Sequence, residues 1–266
     1  MTRCVLLMYH SLFADAREYQ AIDAADRPYA VAADRFTEQL EAIRGAGLNV
    51  IDPGQLETAA ATEAGGVVLT FDDGHASNHH HALPILRRLG MKAIFFVTSD
   101  FIERRRGFCT WAQVREMAEH GMTIGSHGRS HRFLDDLSDT EAIAELADSK
   151  SAIESGINRR IDQVSFPGGR FRPHQLALWR PLGYRVFHSS RVGVAPGQPV
   201  QDGVILPRLA IRRDSGLPEV LTMARADRTW LLRAAAVAST KQLLRRVAGN
   251  RLYHRLYERL YPENRG

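Results

Sequence analysis

The chain has 266 residues, 44% apolar and 24% charged, enough to bury one sizeable core and unlike disordered or collagen-like chains. Its net charge of +5 is carried by one end: from Arg225 to Arg265 ten Lys and Arg stand against Asp227, Glu258 and Glu263, so this stretch is +7 and residues 1–224 are −2. The body lacks a nucleic-acid binder's basic surface and the chain shows no zinc-finger or RNP-type motif, so no nucleic-acid partner is expected.

In chain order, Val5–Met8 reads as a short buried strand ending at Tyr9-His10, followed by a polar loop over 11–30. Asp34–Ala46 has helical spacing, with Leu48–Ile51 a candidate strand after it. Val67–Phe71 is a buried strand running straight into Asp72-Asp73-Gly74. Helices over Asn78–Leu89, Thr110–Gly121, Ser138–Ser155 and His174–Leu182 alternate with strands over Ala93–Val97, Thr123–Gly125, Gln163–Phe166, Tyr184–Ser189 and Val204–Leu206. Thr110 is an N-cap residue, and Ser138 with Glu141 forms a capping-box pattern. Short apolar strands alternating with helices imply a parallel sheet with crossover helices. A closed or nearly closed α/β barrel suits this many units better than separate domains, and a doubly wound open sheet is the alternative.

Tyr9-His10, Asp72-Asp73, His127 and Phe166-Pro167-Gly168-Gly169 all fall at strand C-termini, where β/α barrels build active sites. Adjacent Asp72 and Asp73 can point in different directions, so one can ligate a metal while the other stays free as a base. His127 and His131, four residues apart, are a weak metal signal alone. With Asp73 they make a two-nitrogen, one-oxygen set that suits a catalytic divalent metal: zinc first, with cobalt, nickel, iron or manganese as alternatives. Such a metal acidifies a bound water to a pKa of about 7, and Asp72 can then take a proton as the water attacks a carbonyl carbon. His79-His80-His81, early in a helix, read as solvated or packed residues, and His75 as a residue at the cleft mouth. Cys4 and Cys109 form no CxxC and read as reduced thiols.

Thr70-Phe71-Asp72-Asp73-Gly74, then His127-x3-His131, then Phe166-Pro167-Gly168-Gly169 resemble the first three motifs of the polysaccharide deacetylases. This family, with its NodB-homology domain, is also called carbohydrate esterase family 4. Leu7-Met8-Tyr9-His10, Ala93-Ile94-Phe95-Phe96-Val97 and Ile124-Gly125-Ser126-His127 add to the likeness, which runs from about residue 5 to about residue 215. The resemblance implies a distorted (β/α)7 barrel. It implies Asp72 as catalytic base, Asp73, His127 and His131 as metal ligands, and removal of an N-acetyl group from an amino-sugar-containing glycan or glycolipid, as in surface-polysaccharide metabolism. A deformylase or deacylase of a lipid-linked sugar, or a non-catalytic glycan-binding subunit, are the alternatives.

Three departures bear on the mechanism. Gly128 replaces the usual Ser or Thr. The usual third-motif Arg would fall at Ser165 and the usual Tyr at Gly168, which leaves Arg170 or Arg208 to tether the base. The late Leu-x-His is replaced by Leu206-Pro207-Arg208-Leu209, so the general acid is sought in His10 first and His188 second. Gly168, Gly169, Arg170 and His188 are candidate substrate contacts.

Residues 1–224 are expected to form the barrel and 225–266 a basic helical tail. Its row of Arg251, Arg255 and Arg259 beside Leu252, Leu256 and Leu260 fits either an anionic bilayer surface or packing on the barrel. The first ten residues lack the length and cleavage site of a secretory signal, and no apolar run of about 18 residues exists. The expected location is the cytoplasm, with the tail as a peripheral membrane contact.

Overall fold

The computed structural model describes residues 4–56, 65–195 and 200–240. After strand β1 (Cys4–Tyr9) come β2 (Leu12–Phe13), helix α1 (Ala16–Ala21), β3 (Val31–Ala32) and α2 (Ala33–Gly45). There follow β4 (Gly66–Phe71), α3 (Leu83–Leu89), β5 (Ala93–Val97), α4 (Trp111–Glu119), β6 (Thr123–Ser126) and α5 (Asp139–Ile157). Strand β7 (Gln163–Ser165), α6 (Gln175–Trp179), β8 (Val186–His188), β9 (Val204–Leu206), β10 (Leu209–Ala210) and α7 (Leu217–Ala224) complete the barrel.

The main sheet has the order β10-β1-β4-β5-β6-β7-β8-β9, every neighbouring pair parallel. Its two ends are one run of chain, since only Pro207 and Arg208 separate β9 from β10. That run pairs with β8 at its start, His188 opposite Leu206, and with β1 at its end, Leu7 opposite Leu209. It bridges the two edges of the curled sheet, so seven runs of strand surround the axis, as expected of a distorted (β/α)7 barrel.

Strand alternation sorts the side chains into two layers. Val5, Leu7, Tyr9, Val67, Leu69, Phe71, Phe95, Val164, Phe187 and Leu209 face outward and are sealed under the helices in the larger core. Cys4, Leu6, Val68, Ile94, Phe96, Val186 and Leu206 face inward and fill the bottom of the barrel. Each fully buried aliphatic or aromatic side chain contributes roughly 1.5–3 kcal/mol. Above the inner layer, toward the strand C-termini, the inward positions turn polar: Thr70, Asp72, Ser165, His188 and Arg208 are all buried.

The helices form as their capping residues indicate. Thr110 and Ser138 each close a capping box, with Gln113 and Glu141. Two expectations change. Leu48–Ile51 is no strand; Val50 makes a single bridge to Val67, flanked by hydrogen bonds between β4 and Asn49 and Ile51. The 11–30 segment is not only loop, because β2 and β3 pair there as a small parallel ribbon flanking α1. Short two-residue strands carry too little periodicity to be read from sequence. The helical stretch after α7 runs over 228–240, and Trp230 and Leu231 near its start pack on the core. The rest of the expected tail, including Arg251, Arg255 and Arg259, lies outside the described residues.

Gly125 shows how tightly the barrel is filled. A Cβ there would meet the Phe96 ring at 2.6 Å and the Gln163 carbonyl oxygen at 3.0 Å. Gly125→Ala is expected to lower unfolding stability by about 1–3 kcal/mol, the cost of an overpacked core, read from urea denaturation.

Candidate active site

The two adjacent carboxylates at the end of β4 part company. Asp72 continues the strand, its N–H donating to the Tyr9 carbonyl at 3.0 Å, and its side chain points into the barrel. There Arg208 meets it in a bidentate fork, Nη1 to Oδ1 and Nη2 to Oδ2, both at 2.7 Å. The guanidinium also donates to Ser165 Oγ at 2.6 Å, Thr70 Oγ1 at 3.3 Å and the Ser189 carbonyl at 3.2 Å, and Ser165 Oγ donates to Asp72 Oδ2 at 3.2 Å. Arg208 is 1% exposed and Asp72 2%, so neither ion is solvated and each depends on the other. Burial pushes the Asp72 carboxyl up, but the Arg208 charge and hydrogen bonds, with His127 adding to them, bring it down to about 2. Sequence reading left the tether between Arg170 and Arg208, and the structure selects Arg208. Arg170 instead pairs with Asp135 at 2.8 Å and Asp136 at 2.6 Å, over the Phe133 ring.

Asp73 leaves the strand with φ of 77°, in the left-handed region that non-glycine residues rarely adopt. This swings its carboxylate away from Asp72 and toward His127 and His131. Asp73 Oδ1 lies 3.3 Å from His127 Nε2 and 3.2 Å from His131 Nε2, and all three ligand atoms lie within 4.8 Å of one another. Ligand atoms about 2.0–2.1 Å from a common tetrahedral centre stand roughly 3.3 Å apart, which matches these separations. The chemistry of the donors fits as well. His127 Nδ1 donates to the Ser165 carbonyl at 2.9 Å, which fixes the tautomer and leaves the Nε2 lone pair facing Asp73. Asp73 Oδ1 is buried and takes no hydrogen bond, an arrangement that a divalent cation would satisfy. Burial opposes ionisation of Asp73, but the two imidazoles hold its carboxyl well below the usual range. Asp73 in turn raises the His131 pKa against the effect of burial.

The loop bearing His131 is fastened from below by α5. Glu145, buried at 3% exposure, accepts from the Ser130 N–H at 2.6 Å and from its hydroxyl at 2.9 Å. Ser149 Oγ donates to the Gly128 carbonyl at 3.0 Å, and Ser126 Oγ accepts from the Gly128 N–H at 3.1 Å. Gly128 has φ of 79°, and a Cβ there would lie 3.1 Å from Glu145 Oε1. Ser126 and Ser130, on either side of Gly128, supply the hydroxyls that hold this loop. Backbone strain collects at the candidate ligands, since His131, like Asp73, has positive φ, 62°. Ser165 stands where the usual third-motif Arg would fall, while Glu145 and Ser149 stand in no motif, and only their helix register carries a signal.

His10 and His188 separate clearly. His10 lines a small open cleft together with Asp73, His75, Asp26 and Phe108. Its ring packs at a tilt against Tyr29 at 4.7 Å, its carbonyl accepts from Asn78 Nδ2 at 2.8 Å, and its Nδ1 has no partner. Burial lowers its pKa, partly offset by Asp73 and Asp72. His188 is 0% exposed, bonded through Nε2 to Gln163 Oε1 at 2.9 Å and packed on Phe96. It points into the barrel rather than the mouth, because alternation places it inward beside Val186. The expected substrate contact by His188 is thereby corrected, and its pKa, driven well below the ordinary histidine value by burial, marks a neutral core residue. Gly168 and Gly169 form a tight turn with φ of 60° and 67°. A Cβ on Gly169 would meet the Ser190 nitrogen at 2.5 Å, so this glycine serves backbone packing. His79 and His81 pair at the surface with Glu116 and Glu18, each at 2.8 Å. His75 hydrogen-bonds Ser77 Oγ at the cleft wall.

Residues 59–187 match the family model described as polysaccharide deacetylase. YxkH of Bacillus subtilis (strain 168), which carries a polysaccharide deacetylase name, is 33% identical over 129 residues, 48% of this chain and 46% of its own. A chitin deacetylase of Colletotrichum lindemuthianum is 31% identical over 101 residues, 38% of this chain and 39% of its own. In both cases the match spans less than half of the relative's length. Among solved structures, the Streptococcus pyogenes deacetylase PplD in complex with acetate superposes with a TM-score of 0.72 at 24% identity, covering 84% of this chain and 98% of that one. That likeness shows the barrel fold. The matched region belongs to the polysaccharide deacetylase family, as the motifs indicated.

Removing the tether strands a buried carboxylate. Arg208→Met is expected to cost about 3–5 kcal/mol of unfolding stability near neutral pH, with Arg208→Lys intermediate. The folded Asp72 pKa of about 2 lies below the unfolded value of about 3.9. The stabilisation is therefore complete above roughly pH 4 and is lost as pH falls through about 2, on the order of 2 kcal/mol in all. Urea denaturation across this range is expected to show the gap between wild type and Arg208→Met narrowing toward low pH.

Proposed function

We propose that the protein is a metal-dependent hydrolase that removes an N-acetyl group from an amino-sugar-containing glycan. The observation that carries the reading is the pair of neighbouring carboxylates in different surroundings. Asp73 faces two imidazole Nε2 atoms with an oxygen that takes no hydrogen bond, while Asp72 is locked ionised by Arg208. The names of the curated relatives, one of them a chitin deacetylase, support an acetylated polysaccharide as the substrate class.

Asp73, His127 and His131 would hold the ion, with zinc favoured by the two-nitrogen, one-oxygen set. When bound, a divalent ion supplies Lewis-acid polarisation of the amide carbonyl and lowers the pKa of water. Asp72 accepts the proton that water loses on attacking the carbonyl carbon. Arg208 keeps Asp72 ionised and aimed, at the expense of its basicity, so the site suits a water that is already acidified. The C–N bond then breaks, and His10 donates a proton to the departing amine nitrogen, leaving acetate and a free amino sugar. Among the described histidines, His10 and His75 line the cleft outside the ligand set, and the His10 Nδ1 is unpartnered. The non-catalytic alternative draws on the missing late His and the missing third-motif Arg, and the Arg208–Asp72 contact answers the second of these. A peripheral, cytoplasmic bilayer contact through the basic tail belongs to the same reading. Its support is the exposure of Leu232 at 73% and Val237 at 57% on the 228–240 helix. Among the described residues no helix is long and apolar enough to cross a membrane.

Asp72→Asn is expected to lower acetate release from N-acetylglucosamine oligomers by at least about 10²-fold, the usual scale for a general base, while retaining bound metal by elemental analysis. His131→Ala is expected to lose the metal. Chelation is expected to stop turnover and added zinc to restore it; full activity in a metal-free sample would overturn the reading.

A further inference from the structure

The loops at the C-terminal rim of the barrel carry many arginines, and most are neutralised. Arg104 pairs with Asp100, Arg105 with Asp23, Arg129 with Asp148, Arg132 with Glu141 and Arg170 with Asp135 and Asp136. Arg106, Arg191 and Arg213 are exposed and have no carboxylate partner among the described residues; Arg212 shares that lack but not the exposure. It is half-buried, yet among the described residues its guanidinium has no carboxylate partner and donates no hydrogen bond. Its one side-chain neighbour of note is the Tyr29 ring, with Cζ 5.3 Å from the centroid.

The end of β10 places this cation on the His10 side of the barrel rim. Leu7 and Met8 pair with Leu209 and Ala210, and the Ile211 N–H donates to the Met8 carbonyl at 2.9 Å. The same parallel register sets residue 212 beside His10. Leu209 and Ile211 belong to the outer core, so alternation turns Arg212, like Arg208, toward the barrel axis. Tyr29 joins the two, since its ring also packs at a tilt against His10, centroids 4.7 Å apart. A guanidinium fixed by one face on an aromatic ring keeps its N–H edge free, and that edge matches phosphate and carboxylate oxygens.

We propose that Arg212 binds an anionic substituent of the sugar substrate, a phosphate or a carboxylate, next to the amide that is cleaved. This rests on the deacetylase reading and narrows it: the site accepts acetylated sugars that carry negative charge in preference to neutral ones. No acid on the described chain competes for the guanidinium, so the anion comes with the substrate.

The test compares kcat/KM for acetate release by the metal-loaded full chain on a neutral N-acetylglucosamine oligomer, on a phosphomonoester-bearing counterpart and on a uronate-bearing one. Wild type is expected to favour one of the charged substrates, and the favoured one identifies the group. Arg212→Gln is expected to lower kcat/KM on it by about tenfold to a hundredfold, the loss of a charge-assisted hydrogen bond, and to affect the neutral oligomer much less. Arg212→Lys is expected to recover part of the preference. Equal losses on charged and neutral substrates, or a wild-type preference for the neutral oligomer, would overturn the subsite while leaving the deacetylase reading intact. If wild type turns over none of the three, the deacetylase reading fails. Calorimetric binding of the phosphorylated and uronate-bearing sugars then decides the subsite alone: affinity lost in Arg212→Gln supports it, and affinity unchanged in Arg212→Gln or absent in wild type overturns it.

Discussion

The ion pair between Arg208 and Asp72 organises everything above it. A guanidinium and a carboxylate this deeply buried are tolerable only because the fork is bidentate and the remaining donors reach Ser165, Thr70 and the Ser189 carbonyl. Arg208 sits in the two-residue break between β9 and β10, where one run of chain leaves β8 and joins β1. Barrel closure and tethering of the base are thus the same structural event. Ser165 serves twice, its hydroxyl between Asp72 and Arg208 and its carbonyl fixing the His127 tautomer, so a single strand end couples base and ligand set.

The second constraint is backbone strain. Asp73 and His131 both adopt left-handed conformations, a cost of order 1–3 kcal/mol each for non-glycine residues. The surrounding structure maintains them: the Asp73 carbonyl accepts from the Thr98 N–H at 3.2 Å, and Glu145 and Ser149 on α5 pin the loop before His131. The strain turns one pair of sequence neighbours to opposite tasks, Asp72 inward to a cation of the protein and Asp73 outward to a site fitted for a cation of another kind.

Much of this was legible in the sequence. The alternation of apolar strands with helices indicated a parallel barrel. Chemistry-bearing residues at strand ends indicated its active face, and Asp72-Asp73 with His127 and His131 indicated a ligand trio with a neighbouring base. These features depend on local chain geometry, in which strand period and position relative to a strand end follow from the residues themselves. The short β2 and β3 were not legible, because two residues cannot display a period.

The sequence by itself determined where strands and helices alternate and which chemical groups stand at the strand ends. Only the tertiary structure decided which of them meet. Arg170 and Arg208 were equal candidates until barrel closure brought Arg208 to Asp72 and left Arg170 with Asp135 and Asp136. His10 and His188 both end strands, yet one lines the cleft and the other fills the lumen against Phe96. The loop around Gly128 is held by Ser126, Ser130, Glu145 and Ser149, the last two from a separate element, α5. Contacts between residues more than a hundred positions apart depend on how the strands close around the axis, and no local pattern records that closure.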